Sequence, residues 1–331
     1  MIPASPPWTL ADLAGLCGAR WEGAETKIEA VEAWPAGGAA SLVLVESQHE
    51  ADSVRAAALL CTPGIVTAGP ALRSDHPRLA FAALLTALDR EPSLGSSVSP
   101  EARIEPGVRV GGGAVVERGA WLEADAVVGP CAYVGAGARV GPRCRIGPGA
   151  VILEGTVLGP DVQIDAGAVI GSRGFGYVFH DGAHQPIPQI GGVEIGAGSR
   201  VGSATCVDRA TVGMTSLGAR VIVGELSQIA HNVRVDDGTS VGHQVGIAGS
   251  CHIESNCAIG NQVGIAPHSV IGTGARLADR AGNTRGVVPP GAHMVGFPAR
   301  PREEALRTYA AVNRLEWILQ RLERLVLDES S

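Results

Sequence analysis

The sequence has little lysine and few aromatic side chains. Lys27 is the only lysine among 331 residues, so arginine carries nearly all of the positive charge. Phe, Trp and Tyr number 4, 5 and 3. The formal net charge is −7, which argues against nucleic acid as a partner, because proteins that bind it present basic surfaces to the phosphates.

Long apolar runs and paired cysteines are also missing. No apolar run approaches the about 20 residues of a transmembrane helix, and the first eight residues lack a signal-peptide pattern. The 7 cysteines are odd in number and form no CxxC pair, so we expect neither a disulfide framework nor a zinc ribbon. Reduced thiols are typical of the cytoplasm, where we expect the protein to act.

What the sequence does contain is a repeat of six residues. From Ile104 to Ile170, twelve successive positions six apart are all Ile, Val or Leu. The pattern breaks after Gly171, resumes at Ile195 and slips by four residues after Val207. From Leu217 to Leu277, eleven more positions are all aliphatic. Neither the helical period of 3.6 nor the strand period of 2 explains a strict six.

Hexapeptide repeats indicate a parallel β-helix, so the fold class is mainly β. Three hexads form one coil, in which each aliphatic side chain points inward and stacks on its equivalents. Such helices are usually left-handed, and we expect a left-handed parallel β-helix over residues 99–298. Residues 172–193 are a loop insertion within it. Residues 299–331 are expected to form an amphipathic C-terminal helix, for which a coiled-coil association is plausible.

Residues 1–98 carry no hexads and predict a small α+β domain. Thr9 opens a capped amphipathic helix. Residues 42–45 are predicted to form a strand, and residues 54–60 and 79–88 to form helices. The domain therefore precedes the β-helix as a separate unit.

Chemistry is expected at two features that depart from the plain repeat, the insertion at 172–193 and a histidine cluster on the second run of hexads. Gly249 lies three hexads after His231, directly above it, and His268 lies within one residue of the same corner two coils away. Imidazole titrates near pH 6.5, which suits His231 to act as a general base. Glycine lets a substrate approach the backbone N–H at Gly249, which could stabilise an oxyanion. We interpret His243, on a different corner, and His252 as polar turn residues.

Several segments of the chain match the motifs of a known family, in the same order. They are Thr-Leu-Ala-Asp-Leu-Ala at 9–14, Gly-Phe-Gly-Tyr at 174–177, Ile-Pro-Gln at 187–189, Val-Asp-Arg at 207–209, Gln-Ile-Ala-His-Asn-Val at 228–233, Gln-Val-Gly-Ile-Ala-Gly-Ser at 244–250 and Gln-Val-Gly-Ile-Ala-Pro-His at 262–268. On these segments the chain resembles the UDP-3-O-acylglucosamine N-acyltransferases of lipid A synthesis. The resemblance covers essentially the whole chain.

The resemblance implies an acyl transfer and the residues that perform it. The 2-amino group of UDP-3-O-acylglucosamine would attack the phosphopantetheine thioester of a 3-hydroxyacyl carrier protein. His231 matches the catalytic base and Gly249 the oxyanion donor. His268, Asn232 and Gln244 match the oxyanion and substrate-binding pocket. The family is a homotrimer with active sites between subunits, and no metal and no cofactor other than the donor's phosphopantetheine is implied.

The chain departs from the family pattern at two places. The uracil-binding segment usually supplies a stacking aromatic residue, and here Val43, Glu46 and His49 stand in it. The family's Asp-Asn pair before the catalytic histidine is replaced by Gly-Glu at 224–225, so Glu225 is the expected carboxylate to orient His231. These changes suggest a divergent member with an altered nucleotide-sugar preference.

Two other readings remain open. A zinc hydratase on the same β-helix would need three converging histidines. One chain offers His231 and His268 on one edge, and His243 only from a neighbouring subunit. The other hypothesis is a catalytically inactive scaffold. The complete motif at 228–233 argues against it.

Overall fold

The computed structural model describes residues 7–88, 97–284 and 286–328. The first six residues of the predicted N-terminal domain, its last stretch at 89–96, Arg285 and the final three residues of the predicted C-terminal helix lie outside the described residues. No helix in the described ranges combines the length and the apolar character needed to cross a membrane.

A small α+β unit comes first in the chain. Its helices are α1 Leu10–Cys17, α2 Gln48–Ser53 and α3 Pro77–Leu88. Its five-stranded sheet has the spatial order Arg20–Glu22, Ala71–Arg73, Ala58–Cys61, Ser41–Leu44, Ala30–Ala33, and strands Trp8–Thr9 and Lys27–Ile28 form a separate pair. The predicted start of α1 is confirmed. Thr9 Oγ1 accepts from Asp12 N at 3.1 Å, and Thr9 N donates to the Asp12 carboxylate at 3.2 Å.

The helix predicted over residues 54–60 is wrong. Ala58–Cys61 is the central strand of the sheet, parallel to both of its neighbours and buried at all four residues. A short apolar run buried on both faces has no alternation, so periodicity cannot distinguish it from a buried helix. The strand predicted over 42–45 and the helix predicted over 79–88 are confirmed by Ser41–Leu44 and α3.

The hexads form a three-sided parallel β-helix, as the repeat predicts. The first face consists of strands Val115–Val116, Tyr133–Val134, Val151–Ile152, Val169–Ser172, Cys206–Asp208, Gln228–Ile229, Gly246–Ile247, Gly264–Ile265 and Gly282–Asn283. The second consists of Arg103–Ile104, Trp121–Leu122, Arg139–Val140, Thr156–Leu158, Gly192–Ile195, Met214–Leu217, Arg234–Val235, His252–Ile253, Val270–Ile271 and Val287–Val288. The third consists of Arg109–Val110, Val127–Val128, Arg145–Ile146, Gln163–Ile164, Arg200–Val201, Ile222–Val223, Ser240–Val241, Ala258–Ile259, Arg276–Leu277, His293–Val295 and Arg300–Pro301.

The register shows how the repeat builds the core. Ile229 pairs with Ile247, and Ile247 pairs with Ile265, so each step along the stack is three hexads. These inward side chains are at most 3 % exposed, whereas the preceding residue in each strand faces outward. Two coils are longer than three hexads, because Ile170 pairs with Val207 across the loop insertion, and Val207 pairs with Ile229 across the slip in the repeat. The repeat therefore keeps its register across both extra segments.

The predicted C-terminal helix is two helices. α4 spans Arg302–Val312 and α5 spans Leu315–Asp328. The Arg314 N–H bonds the Ala311 carbonyl, three residues back rather than four, so a tight turn interrupts the α-helix. A set of large apolar side chains on both helices is exposed: Leu306, Tyr309, Val312, Leu315, Trp317, Ile318 and Leu319.

The inward column supplies a test of the fold. Ile164 is 1 % exposed, and Gln163 beside it faces solvent. We expect Ile164→Ala to lower the free energy of unfolding by about 2–5 kcal/mol, because it removes buried methyl groups and leaves a cavity. Urea titration followed by circular dichroism measures this loss. Gln163→Ala is the control, and an equal loss in both variants would contradict the assignment of inward and outward positions.

Candidate active site

His231 and Gly249 meet at one corner of the β-helix. His231 follows strand Gln228–Ile229, and its carbonyl accepts from the Ser250 N–H at 3.0 Å. A Cβ atom built on Gly249 would lie 2.6 Å from His231 Nε2, so only glycine leaves room for the imidazole there. The Gly249 N–H donates no hydrogen bond to another described residue. A ring nitrogen of His231 thus lies close to a residue whose backbone N–H makes no hydrogen bond within the described residues.

His268 lies on the same edge, one coil beyond Gly249. Its N–H donates to the Gly249 carbonyl at 3.1 Å. Its backbone is in the left-handed region, with φ 60°, as is that of Asn232, with φ 58°. The structure therefore brings His231, Asn232, Gly249 and His268 together along one corner, where the sequence places them.

The hydrogen bonds around Nδ1 determine which ring nitrogen of His231 holds the proton. Asn232 Oδ1 lies 3.2 Å from Nδ1. The Asn232 amide is fixed, because Nδ2 donates to the Val212 carbonyl at 3.0 Å and Oδ1 accepts from the Thr211 N–H at 2.9 Å. Oδ1 is an acceptor only, so we assign the proton of the neutral ring to Nδ1. Nε2, which faces Gly249, is then free to accept a proton.

Asp208 places a carboxylate near the same ring. It is buried at the end of strand Cys206–Asp208 and accepts hydrogen bonds from Ser172 Oγ and Gln228 Nε2, both at 2.7 Å. Burial raises the pKa of the Asp208 carboxyl, and the two hydrogen bonds and the nearby His231 oppose that shift. When it is ionised, Asp208 favours a positive charge on the imidazole.

Glu225 does not orient His231, which corrects the expectation from the sequence. Its carboxylate pairs with His243, at the corner that precedes strand Gln228–Ile229. Coil geometry explains the difference, because Glu225 and His243 are three hexads apart and stack on each other. His243 lies on a different corner from His231, as predicted. The prediction of a turn at His252 is wrong, because His252 lies in strand His252–Ile253, where it pairs with Asp236 at 2.8 Å.

Gln244 is not brought to His231 within one chain. It lies beside His243, and its Oε1 accepts from Gln262 Nε2 at 2.7 Å. Gln262 Oε1 in turn accepts from Arg280 Nε at 2.8 Å. These exposed side chains form a ladder along another corner, so the role predicted for Gln244 finds no support in the contacts of a single chain.

Sequence reasoning gave no role at the site to Asp208 or to two further polar residues, Thr211 and Gln189. Thr211 Oγ1 lies 3.4 Å from His231 Nδ1 and donates to Gln189 Oε1 at 2.9 Å. Gln189 belongs to the loop insertion, in which strands Tyr177–His180 and Ala183–Pro186 form a hairpin. Both residues lie in the two segments that lengthen a coil. The four-residue slip of the repeat was therefore the signal that pointed to Thr211.

The segment expected to bind uracil offers no stacking surface at Val43, which is fully buried in the sheet. Glu46 forms a two-pronged ion pair with Arg78, at 2.5 and 2.6 Å, and His49 is exposed. The segment that departs from the family pattern thus holds an exposed ion pair.

Within the described ranges, no three His, Cys, Asp or Glu side chains converge as a metal site. His231 and His268 share an edge, and His243 stands on another.

Comparisons with known proteins agree with this architecture. A family model described as bacterial transferase hexapeptide (six repeats) matches residues 119–154 and 137–172. A UDP-3-O-acylglucosamine N-acyltransferase of Pseudomonas aeruginosa (strain LESB58) is 40% identical over 330 residues, covering 96% of this chain and 94% of that protein. The protein of that name from Rhizobium meliloti (strain 1021) is 46% identical over 282 residues, covering 80% and 79%.

Among solved structures, a UDP-N-acetylglucosamine acyltransferase of Francisella novicida matches with a TM-score of 0.49 and 20% identity. The match covers 64% of this chain and 73% of that one.

The contact at Gly249 supplies a test of the site. In Gly249→Ala the new methyl group must displace the imidazole, and we expect the acyl transfer predicted from the sequence to fall by about 100-fold or more, as when a catalytic group is misplaced. Turnover is measured with the fold checked by circular dichroism. Gly112→Ala is the control, because a Cβ atom there meets nothing within 4 Å. Full activity in Gly249→Ala would contradict the geometry.

Proposed function

The chain belongs to the UDP-3-O-acylglucosamine N-acyltransferase family and is an acyltransferase of lipid A synthesis, and we propose that it carries out the reaction for which its relatives are named. The acceptor is the 2-amino group of UDP-3-O-acylglucosamine. The donor is a 3-hydroxyacyl group, held as a phosphopantetheine thioester on an acyl carrier protein. No other cofactor is proposed.

The observation that carries this proposal is the close approach of His231 Nε2 to Gly249, whose N–H donates no hydrogen bond to another described residue. Acyl transfer to an amine needs a base for the amine proton and a donor for the oxyanion. Asn232 holds the Nδ1 proton through a fixed amide oxygen. His268, next along the edge, is proposed to contact substrate.

The reaction then proceeds through addition of the amine to the thioester and loss of the thiolate. The amine nitrogen attacks the thioester carbonyl, and His231 Nε2 accepts the proton that the nitrogen releases. The Gly249 N–H donates to the negative oxygen of the tetrahedral intermediate. The carbonyl re-forms as the carbon–sulfur bond breaks, and the thiolate takes the proton from His231. The Asp208 carboxylate stabilises the imidazolium between these steps.

We propose that the working form is a homotrimer in the cytoplasm. The apolar side chains of α4 and α5 are exposed in a single chain, and packing against the same helices of other copies would bury them. All seven cysteines are free thiols, the state that a reducing compartment maintains.

A second candidate differs only in the acceptor. Val43 is buried and Glu46 is ion-paired, which favours an acceptor other than the uridine-linked sugar, either a different nucleotide or a different amino sugar. The test is a transfer assay with a 3-hydroxyacyl carrier protein, in which UDP-3-O-acylglucosamine and a set of other amino sugars compete. Mass spectrometry identifies the acylated product. Preference for another amino sugar would replace the first candidate by the second.

The base is tested by His231→Ala. We expect kcat to fall by about 100-fold or more, since general base catalysis contributes on the order of 10²–10⁴. His252→Ala, which removes a histidine paired with Asp236 on another face, should retain wild-type turnover. Size-exclusion chromatography checks that both variants keep their assembly. Wild-type kcat in His231→Ala would remove His231 from the mechanism.

A further inference from the structure

The Nδ1 side of His231 is enclosed by two segments that do not belong to its own coil. One is the loop insertion at 172–193, and the other is the short segment at 209–213. Gln189, from the first, is 2 % exposed and donates through Nε2 to the Ile187 carbonyl at 2.9 Å. This bond fixes the amide, so Gln189 Oε1 is the acceptor for the Thr211 hydroxyl. Thr211 Oγ1 therefore turns a lone pair toward Nδ1.

Both segments are packed onto the N-terminal domain. Ile187 and Ile190, on either side of Gln189, pack against the buried cluster that contains Leu10 and Leu13 of α1. Val212, next to Thr211, is 5 % exposed and belongs to the same cluster.

The second contact of Nδ1, with Asn232, is also linked to this buried cluster. Asn232 accepts the Nδ1 proton, and its own Nδ2 donates to the carbonyl of Val212. Both groups that contact Nδ1, Thr211 Oγ1 and Asn232 Oδ1, are thus linked to residues that pack on the core of the N-terminal domain.

We propose that Gln189 and Thr211 are positioning residues for His231, and that the N-terminal domain is the support that holds them. The inference rests on the proposed role of His231 as the base. Thr211 Oγ1 and Asn232 Oδ1 together keep the ring proton on Nδ1 and accept it more strongly once the ring is charged. Gln189 acts through Thr211 and touches no substrate. Asp208 is the titratable carboxyl near the ring, and it remains in every variant below.

The side-chain test uses a matched pair at Thr211. Thr211→Val removes the hydroxyl while keeping the shape, and we expect kcat to fall about tenfold, the effect of one hydrogen bond that is strengthened in the transition state. KM for the donor and the acceptor should stay within about twofold, since no substrate contact is lost. Thr211→Ser restores the hydroxyl and should restore kcat. A wild-type kcat in Thr211→Val, or a Ser variant as slow as the Val variant, would overturn the assignment.

The support test uses two apolar residues that pack on the same cluster. Ile187 lies in the insertion near Gln189, and Leu16 lies on α1, outside the insertion. Both Ile187→Ala and Leu16→Ala should lower the melting temperature, because each removes partly buried methyl groups. Only Ile187→Ala should lower kcat. Equal kcat values in the two variants would show that the packing is structural and would overturn the support role.

Failure of the proposed function is distinguishable from failure of this inference. A fully active His231→Ala variant would overturn both. An inactive His231→Ala variant together with a fully active Thr211→Val variant would overturn only the positioning role.

Discussion

The inward stacking of one aliphatic side chain every six residues is the constraint on which the rest of the molecule depends. It fixes the coil at three hexads, since Ile229, Ile247 and Ile265 must lie above one another to stay buried. Residues at the corners are then aligned as strictly as those in the core. The meeting of His231 with Gly249, and of Gly249 with His268, follows from packing that involves none of the three side chains.

This constraint explains which features could be predicted from the sequence. The coils, the corner shared by His231 and Gly249, and the capped start of α1 all follow from spacing or from local hydrogen bonding. The strand at Ala58–Cys61 was mistaken for a helix because a short run buried on both faces carries no period. The break at Arg314 depends on one backbone hydrogen bond that no spacing reveals.

The site was only partly predictable, for a related reason. Gln189 and Thr211 reach His231 through segments that leave the repeat, so their approach depends on tertiary packing against the N-terminal domain. Glu225 was expected to orient the ring because it stands in the place of a family carboxylate. Its corner stacks it on His243 instead. The ring is held by a neutral amide oxygen and a hydroxyl. The nearby carboxyl is Asp208, which accepts hydrogen bonds from Ser172 and Gln228.

The lengthened coils also bear on how such a protein can change in size. The chain leaves the helix after Ile170, folds a hairpin outside it and returns so that Val207 pairs with Ile170. The three-sided stack continues beyond this point in the same strand register. Extra chain can therefore be added at a corner, and whole coils can be gained or lost at either end, without moving His231 relative to Gly249. A deletion of six residues between them would instead rotate every later corner by one face. The architecture thus tolerates extra chain at a corner and whole coils at the ends, and it forbids the loss of a single hexad within the stack.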